Sequence, residues 1–328
     1  MRKLASVQII EETNPIENAD AIDTARVLGW QVVVKKGEFS PGDKCVYCEI
    51  DSVLPKKPEF EFLHSSNFRI RTVRLRGKLS QGICFPLSIL PEGSWAVGDD
   101  VTEVLGVEKY DPPIPLEMDG QVKSFFPGYV PKTDESRIQS FPGLLDEMRG
   151  QHCFRTMKID GTSTSFIHRG GELHVCGRNL SFIESDNNIH WRMFRKYKLD
   201  ESFVKAGNYA IQGETAGPGI EKNPYGAKEL SLFVFNVYDI DAACYLSFAD
   251  YLSFCARHKL LMAPVLDPDF VLDHDIPQLL EMAQGSYPSG KNQEGIVIRP
   301  LKEQVSEVLN GRLSFKVINN DHLLKKKD

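Results

Sequence analysis

No apolar run in the 328-residue sequence reaches the roughly 18 residues that a membrane-spanning helix requires. A secretory leader is not expected either: Met1-Arg2-Lys3-Leu4-Ala5 meets acid again at Glu11 and Glu12, before an apolar core can form. The seven cysteines are an odd number in a long chain, which disfavours a secreted disulfide scaffold; a cytoplasmic location is expected. Excess positive charge is also lacking. Lys and Arg number 39 against 45 Asp and Glu, a net charge of −6, so a nucleic-acid partner would have to be met by a local basic patch. What remains is ordinary globular composition, 41% hydrophobic and 26% charged, which excludes collagen-like and wholly disordered classes.

The length suggests two domains, each able to bury a core. Residues 1–110 read as short strands with turn punctuation. Trp30-Gln31-Val32-Val33-Val34, Lys44 to Ile50 and Phe68 to Leu75 are separated by turns such as Ser40-Pro41-Gly42-Asp43, a spacing that suggests a small closed barrel. Residues 111–132 carry Pro112, Pro113, Pro115, Pro127 and Pro131 with Gly120 and Gly128, and read as a linker. From 133 to 328 strands (Phe154 to Ile159, Ser163 to His168, Tyr209 to Gln212, Leu232 to Ile240, Gly295 to Ile298) mix with helical spacing at Ser247 to His258 and Ile276 to Gln284. The expected class is α+β.

Chemistry concentrates in Met157-Lys158-Ile159-Asp160-Gly161-Thr162, where a lysine leaves an apolar strand and meets Asp and Gly at once. A lysine at its reference pKa is only about 0.1% neutral at physiological pH and is a poor nucleophile. Half-neutralising it at pH 7 takes a shift of about 3.4 units, roughly 4–5 kcal/mol, which burial and a nearby cation together could supply. Taken alone, the tetrapeptide also reads as an exposed strand end beside a turn. Glu214 after Gly213, Glu294 before Gly295 and Lys316 within Ser314-Phe315-Lys316-Val317-Ile318 repeat the pattern of a charge against an apolar strand.

That ordered set resembles the covalent nucleotidyltransferases, the superfamily of ligases and capping enzymes whose lysine motif is Lys-x-Asp-Gly. The resemblance implies that Lys158 attacks the α-phosphate of ATP to form a lysyl-AMP intermediate. It also implies that Asp160 and Glu294 hold Mg²⁺ or Mn²⁺ and that Glu214 binds the ribose hydroxyls. Lys316, fully charged, would contact the α-phosphate, and Arg178 would lie on the strand after the lysine motif. Tyr238 is the first choice for the aromatic that stacks on adenine, Phe235 the second. Ile159, beside the lysine, joins the nucleotide contacts. Only 12 residues follow Lys316, so the C-terminal barrel of DNA ligases and capping enzymes is not expected. An N-terminal five-stranded OB-type barrel before a nucleotidyltransferase domain with antiparallel sheets and flanking helices is similar to the fifth ATP-dependent RNA ligase family, the Deinococcus–Naegleria branch. The resemblance includes Gly29 to Gly37, Glu49 to Pro55, Thr72 to Gly77 and Ser136-Arg137-Ile138, with Arg137 expected on the nucleotide phosphates. It implies a monomer that seals 3′-OH and 5′-phosphate ends of RNA, with nicks in duplexes as substrate. In the motif around Lys316, where many ligases have a second lysine, this chain has Ser314, and Arg312 on the same strand face is the expected substitute.

Arg69, Arg71, Arg74 and Arg76 form an acid-free basic run that suits RNA backbone, or equally an edge strand guarded by charge. Cys45-x-x-Cys48 has no second pair at zinc spacing and reads as structural thiols. His168 and His174 flank a Gly170-Gly171 turn and are expected to be exposed. The rival readings are a capping guanylyltransferase, a DNA-ligase-like enzyme and a non-catalytic nucleic-acid-binding protein.

Overall fold

The computed structural model describes residues 3–110, 121–199, 203 and 206–325. Two compact units meet in the chain between Pro113 and Ile114.

In the first unit, Trp30–Lys35 alternates as a half-buried strand should: Trp30, Val32 and Val34 point inward while Gln31 and Lys35 face water. It is the third strand of a meander with Glu12–Pro15 and Ile22–Val27. Ala5–Ile9, Lys44–Cys48 and Ile83–Phe85 form a second antiparallel sheet. Thr72–Leu75 and Lys78–Gln81 form a hairpin tied to the meander by Val33 N donating to Ser80 Oγ at 3.0 Å. Arg76 and Gly77, both at positive φ, close that hairpin as a two-residue turn whose twist matches the strands. The core comprises Val7, Trp30, Val32, Tyr47, Ile50, Leu54, Phe60 and Ile70.

The second unit carries two large sheets. One is seven-stranded and antiparallel: Val122–Phe125, Leu180–Phe182, Glu172–Cys176, Thr162–Arg169, Tyr209–Ala216, Ser231–Asp239 and Cys244–Tyr245. The other has Ser136–Arg137, Phe315–Ile318, Gly295–Pro300, His152–Lys158 and Val265–Val271. Helix Phe248–His258 starts where Ser247 caps the Asp250 amide, and Ile276–Met282 opens on an Asp275/Gln278 capping box. Trp191, Phe194 and Phe254 pack on the first sheet, Ile138, Met148 and Leu279 on the second.

Two expectations change here. Val122–Phe125 is an edge strand of the seven-stranded sheet, so this part of 111–132 is not linker. The stretch Gln121–Phe126 contains no proline, and its neighbours Pro127 and Pro131 lie beyond the paired residues. Residues 111–120 lie outside the described residues. His168 and His174 are buried, not exposed. Their hairpin is interior to the seven-stranded sheet, where Leu180–Phe182 and Tyr209–Ala216 flank it and leave the tip from Arg169 to Glu172 in water.

Candidate active site

Lys158 ends the strand His152–Lys158, and after Ile159-Asp160-Gly161 the chain enters the other sheet at Thr162. The lysine motif is therefore the crossing between the two sheets. Strand register brings the remaining charges to it. Lys158 pairs with Gly295, which sets Glu294 beside it; Val297 pairs with Lys316, and Lys316 pairs with Arg137. On the other sheet, Ser163 pairs with Glu214. Close approach of these backbones depends on glycine. A Cβ on Gly161 would lie 2.4 Å from the Thr215 carbonyl oxygen, and one on Gly295 2.1 Å from that of Val317.

Lys158 Nζ donates to Glu294 Oε2 at 2.7 Å. Burial is the largest single influence on this amine and pulls its pKa down. Glu294, Glu214 and Asp160 together outweigh burial and carry it above the ordinary lysine value. The sequence reading asked for an amine held neutral; in the protein alone it is an ammonium gripped by carboxylates. Lys316 is the reverse. Burial, with Arg137 and Lys158 nearby, pushes its pKa down to about 7. Burial first, and then the neighbouring Arg137 and Lys158, thus work against the full charge expected of Lys316, with Asp134 and Glu294 opposing them in part. Such a cluster of cations fits a polyphosphate, which would restore its charge.

Lys158, Ile159, Glu214, Phe235, Val297 and Arg299 line one cleft. Phe235, not Tyr238, shares this cleft with the lysine. Ser231–Asp239 has a bulge opposite Gln212 and Gly213, and Phe235 is the residue left without a ladder partner. A bulge re-aims its side chain, which leaves Phe235 in the lysine's cleft, whereas the resemblance, placing the aromatic directly before the Asp, put Tyr238 first. Tyr238 is buried among Phe126, Val130 and Ile167 and stands edge-on to Tyr245. With Arg312 it lines a separate cavity of about 600 Å³ that shares Thr133 and Glu135 with the cleft. Arg312 is engaged there by Glu303, by Asn236 Oδ1 at 2.7 Å and by the Tyr245 ring at 3.8 Å, so it does not substitute at Ser314. Arg178 is half-exposed and paired with Asp134, outside the lysine cleft.

Asp160, Glu294 and His322 present donor atoms within 4.8 Å of one another. Two carboxylates suit a hard divalent cation, and an imidazole is compatible with Mn²⁺. Sequence reasoning missed His322, whose helix Asn320–Lys325 has no distinguishing pattern. It also missed Tyr287 and the buried pair of Arg299 with Glu135 at 2.7 Å. Tyr287 is the one aromatic in the turn-rich stretch Gly285-Ser286-Tyr287-Pro288-Ser289-Gly290, which was a usable signal.

In the first unit, Arg69 is bound to Asp51 at 2.9 Å and stacked on Tyr110 at 3.6 Å. It is therefore not available to RNA as the basic run suggested. Phe68 and Arg69 precede the strand, which spans only Thr72–Leu75; Arg71, Arg74 and Arg76 are exposed along the hairpin.

Comparison with known proteins finds residues 4–87 similar to an OB-fold domain and residues 151–318 similar to the family described as RNA ligase. Solved structures of Naegleria gruberi RNA ligase match over nearly all of the chain. One, with PPi, is 36% identical with TM-score 0.89 and covers 98% of each chain. A mutant with ATP and Mn is 37% identical with TM-score 0.90, and another with AMP and Mn is 36% identical with TM-score 0.91; both cover 100% of each chain. No curated protein matches. Among the described residues no helix is long and apolar enough to cross a membrane.

Proposed function

Because this chain belongs to the RNA ligase family, we propose that it is an ATP-dependent ligase that joins an RNA 3′-hydroxyl to a 5′-phosphate, with nicked duplexes as substrate. The observation that carries this is the meeting of Lys158, Glu214, Glu294 and Lys316 at the crossing of two sheets. Phe235 stacks on adenine and Glu214 accepts the ribose hydroxyls. Lys316 and Arg137 face the phosphates, where the substrate's negative charge returns Lys316 to its ammonium form. Lys158 Nζ, once deprotonated, forms the N–P bond to the α-phosphorus as the α–β P–O bond breaks and pyrophosphate leaves. The AMP passes to the RNA 5′-phosphate and is then displaced by the 3′-hydroxyl. Asp160 and Glu294 would hold Mg²⁺ or Mn²⁺, which would supply positive charge to the phosphate and compete with the lysine ammonium for these carboxylates. The relatives' structures with ATP and Mn support this reading. Exposed Arg71, Arg74 and Arg76 are the basic residues offered to the RNA backbone.

The test is a nicked RNA duplex with a labelled 5′-phosphate, incubated with ATP and Mn²⁺. Sealing by the wild type and none by Lys158→Ala supports the reading. Sealing by Lys158→Ala contradicts it, and a protein adduct formed only with GTP would mark a capping guanylyltransferase instead.

A further inference from the structure

Three backbone groups of the site converge on one side chain. The Tyr287 hydroxyl donates to the Lys158 carbonyl oxygen at 2.7 Å and accepts the amides of Asp160 at 3.0 Å and Glu294 at 2.9 Å. One donation and two acceptances exhaust what a hydroxyl can do. The ring is 2% exposed, edge-on to Tyr225 at 5.7 Å and packed with Ile159, Ala216 and Phe233. Its loop is closed by Tyr287 N donating to Lys291 O at 2.8 Å and Gly290 N donating to Tyr287 O at 2.9 Å. The hydroxyl is thus held from both sides.

Its position matters because of where the ladder stops. The pairing of His152–Lys158 with Gly295–Pro300 ends at Lys158 and Gly295. Asp160 and Glu294 both lie past that end, and the Tyr287 oxygen is the atom to which both of their amides donate. A rotation of either backbone swings its carboxylate away from the other. A side chain that orients metal-holding groups without touching the metal commonly changes affinity by about 10–100-fold when removed.

We propose that Tyr287 is a positioning residue for the divalent-cation site, its hydroxyl setting the separation of the Asp160 and Glu294 carboxylates. The inference rests on the reading of those two residues as the cation's carboxylates. Tyr287→Phe removes one oxygen and keeps the ring. Mn²⁺ binding to the full chain, followed by the electron paramagnetic resonance of free Mn²⁺, is expected to weaken about 10-fold or more. The Mn²⁺ concentration that half-saturates adenylation should rise in parallel, with kcat largely restored at saturating cation. A merely structural tyrosine would lower the melting temperature and leave that half-saturation point where it was. A folded Tyr287→Phe chain with wild-type Mn²⁺ affinity overturns the inference. Should that variant not fold, hydrogen exchange on the wild type decides. The Asp160 and Glu294 amides must exchange as slowly as the ladder amides of His152–Lys158, and fast exchange rejects the role. Asp160→Asn separates the premises: if it too binds Mn²⁺ normally, the cation reading fails, and if it alone loses Mn²⁺, only the Tyr287 inference fails.

Discussion

Lys158 is the residue on which opposing electrostatic demands meet. A nucleophile must be unprotonated, yet Glu294 at 2.7 Å, with Glu214 and Asp160, stabilises the ammonium. The same carboxylates that would hold a cation thus keep the amine inert until their charge is taken up elsewhere. The adjoining Lys316, at about 7, is the softer of the two lysines. Phe235 gives a direct check at this scale. Phe235→Leu should raise the KM for ATP by the loss of a base–aromatic stack, about 1–3 kcal/mol or roughly 5–150-fold. Tyr238→Leu should leave that KM unchanged and lower the melting temperature, since its ring is buried away from the cleft. Steady-state adenylation kinetics and thermal melts of the two variants separate these outcomes. The reversed result would restore Tyr238 as the stacking residue. Asp160, Glu214 and Glu294 stand out in the sequence because each carboxylate abuts a glycine, and Lys158 because it leaves an apolar strand just before Asp160-Gly161. Tyr238 came first because the resemblance places the aromatic directly before the Asp; the bulge that brings Phe235 to the cleft is set by pairing with the neighbouring strand, which one strand's own residues do not reveal.

At the scale of elements, the site depends on how two sheets are clasped. Arg299, 2% exposed along its side chain, reaches from Gly295–Pro300 to Glu135 just before Ser136–Arg137, and also donates to the Phe235 carbonyl oxygen at 3.3 Å. Burial alone would raise the Glu135 pKa, but Arg299 and Arg312 overcome it and hold the carboxyl below its ordinary value. Removing one partner strands the other charge in the interior. Glu135→Ala is therefore expected to destabilise the second unit by about 3–5 kcal/mol in chemical denaturation; a loss within experimental error would show the pair to be dispensable. Helices Phe248–His258 and Ile276–Met282 and strands such as His152–Lys158, Thr162–Arg169 and Ser231–Asp239 were readable from apolar spacing; the helix Ile189–Lys196 and the strand Val265–Val271 were not read. Val122–Phe125 was not read either, because an edge strand exposed along its length has no alternation to read and prolines bracket it.

At the scale of the molecule, every residue placed at the candidate site belongs to the second unit, which carries its own cores. A fragment of residues 114–328 is expected to unfold cooperatively and to bind Mn²⁺; non-cooperative melting would contradict this. The stability of that unit should also carry a specific acid sensitivity. His190, 2% exposed, lies against Thr164 Oγ1 at 2.8 Å and stacks on Phe182, and burial lowers its pKa from 6.5 to about 4. Between those values the unfolded chain binds a proton that the folded chain refuses, so stability falls as pH drops through this window. The loss from this group approaches about 3 kcal/mol by pH 4. Denaturation of the wild type and of His190→Gln across pH 4–7 measures it as the difference in slope, and equal slopes would refute it. The chain divides between Pro113 and Ile114, within the proline-rich stretch 111–132 that was read as a linker. The burial of His168 and His174 was not legible, since it depends on which strands lie inside the sheet.

The most direct measurement is peptide mapping of the chain after incubation with labelled ATP and Mn²⁺ in the absence of RNA. The account predicts AMP on the peptide containing Lys158, through a phosphoramidate labile to acid. Label on any other residue, or none with any nucleotide from a folded chain, would contradict it.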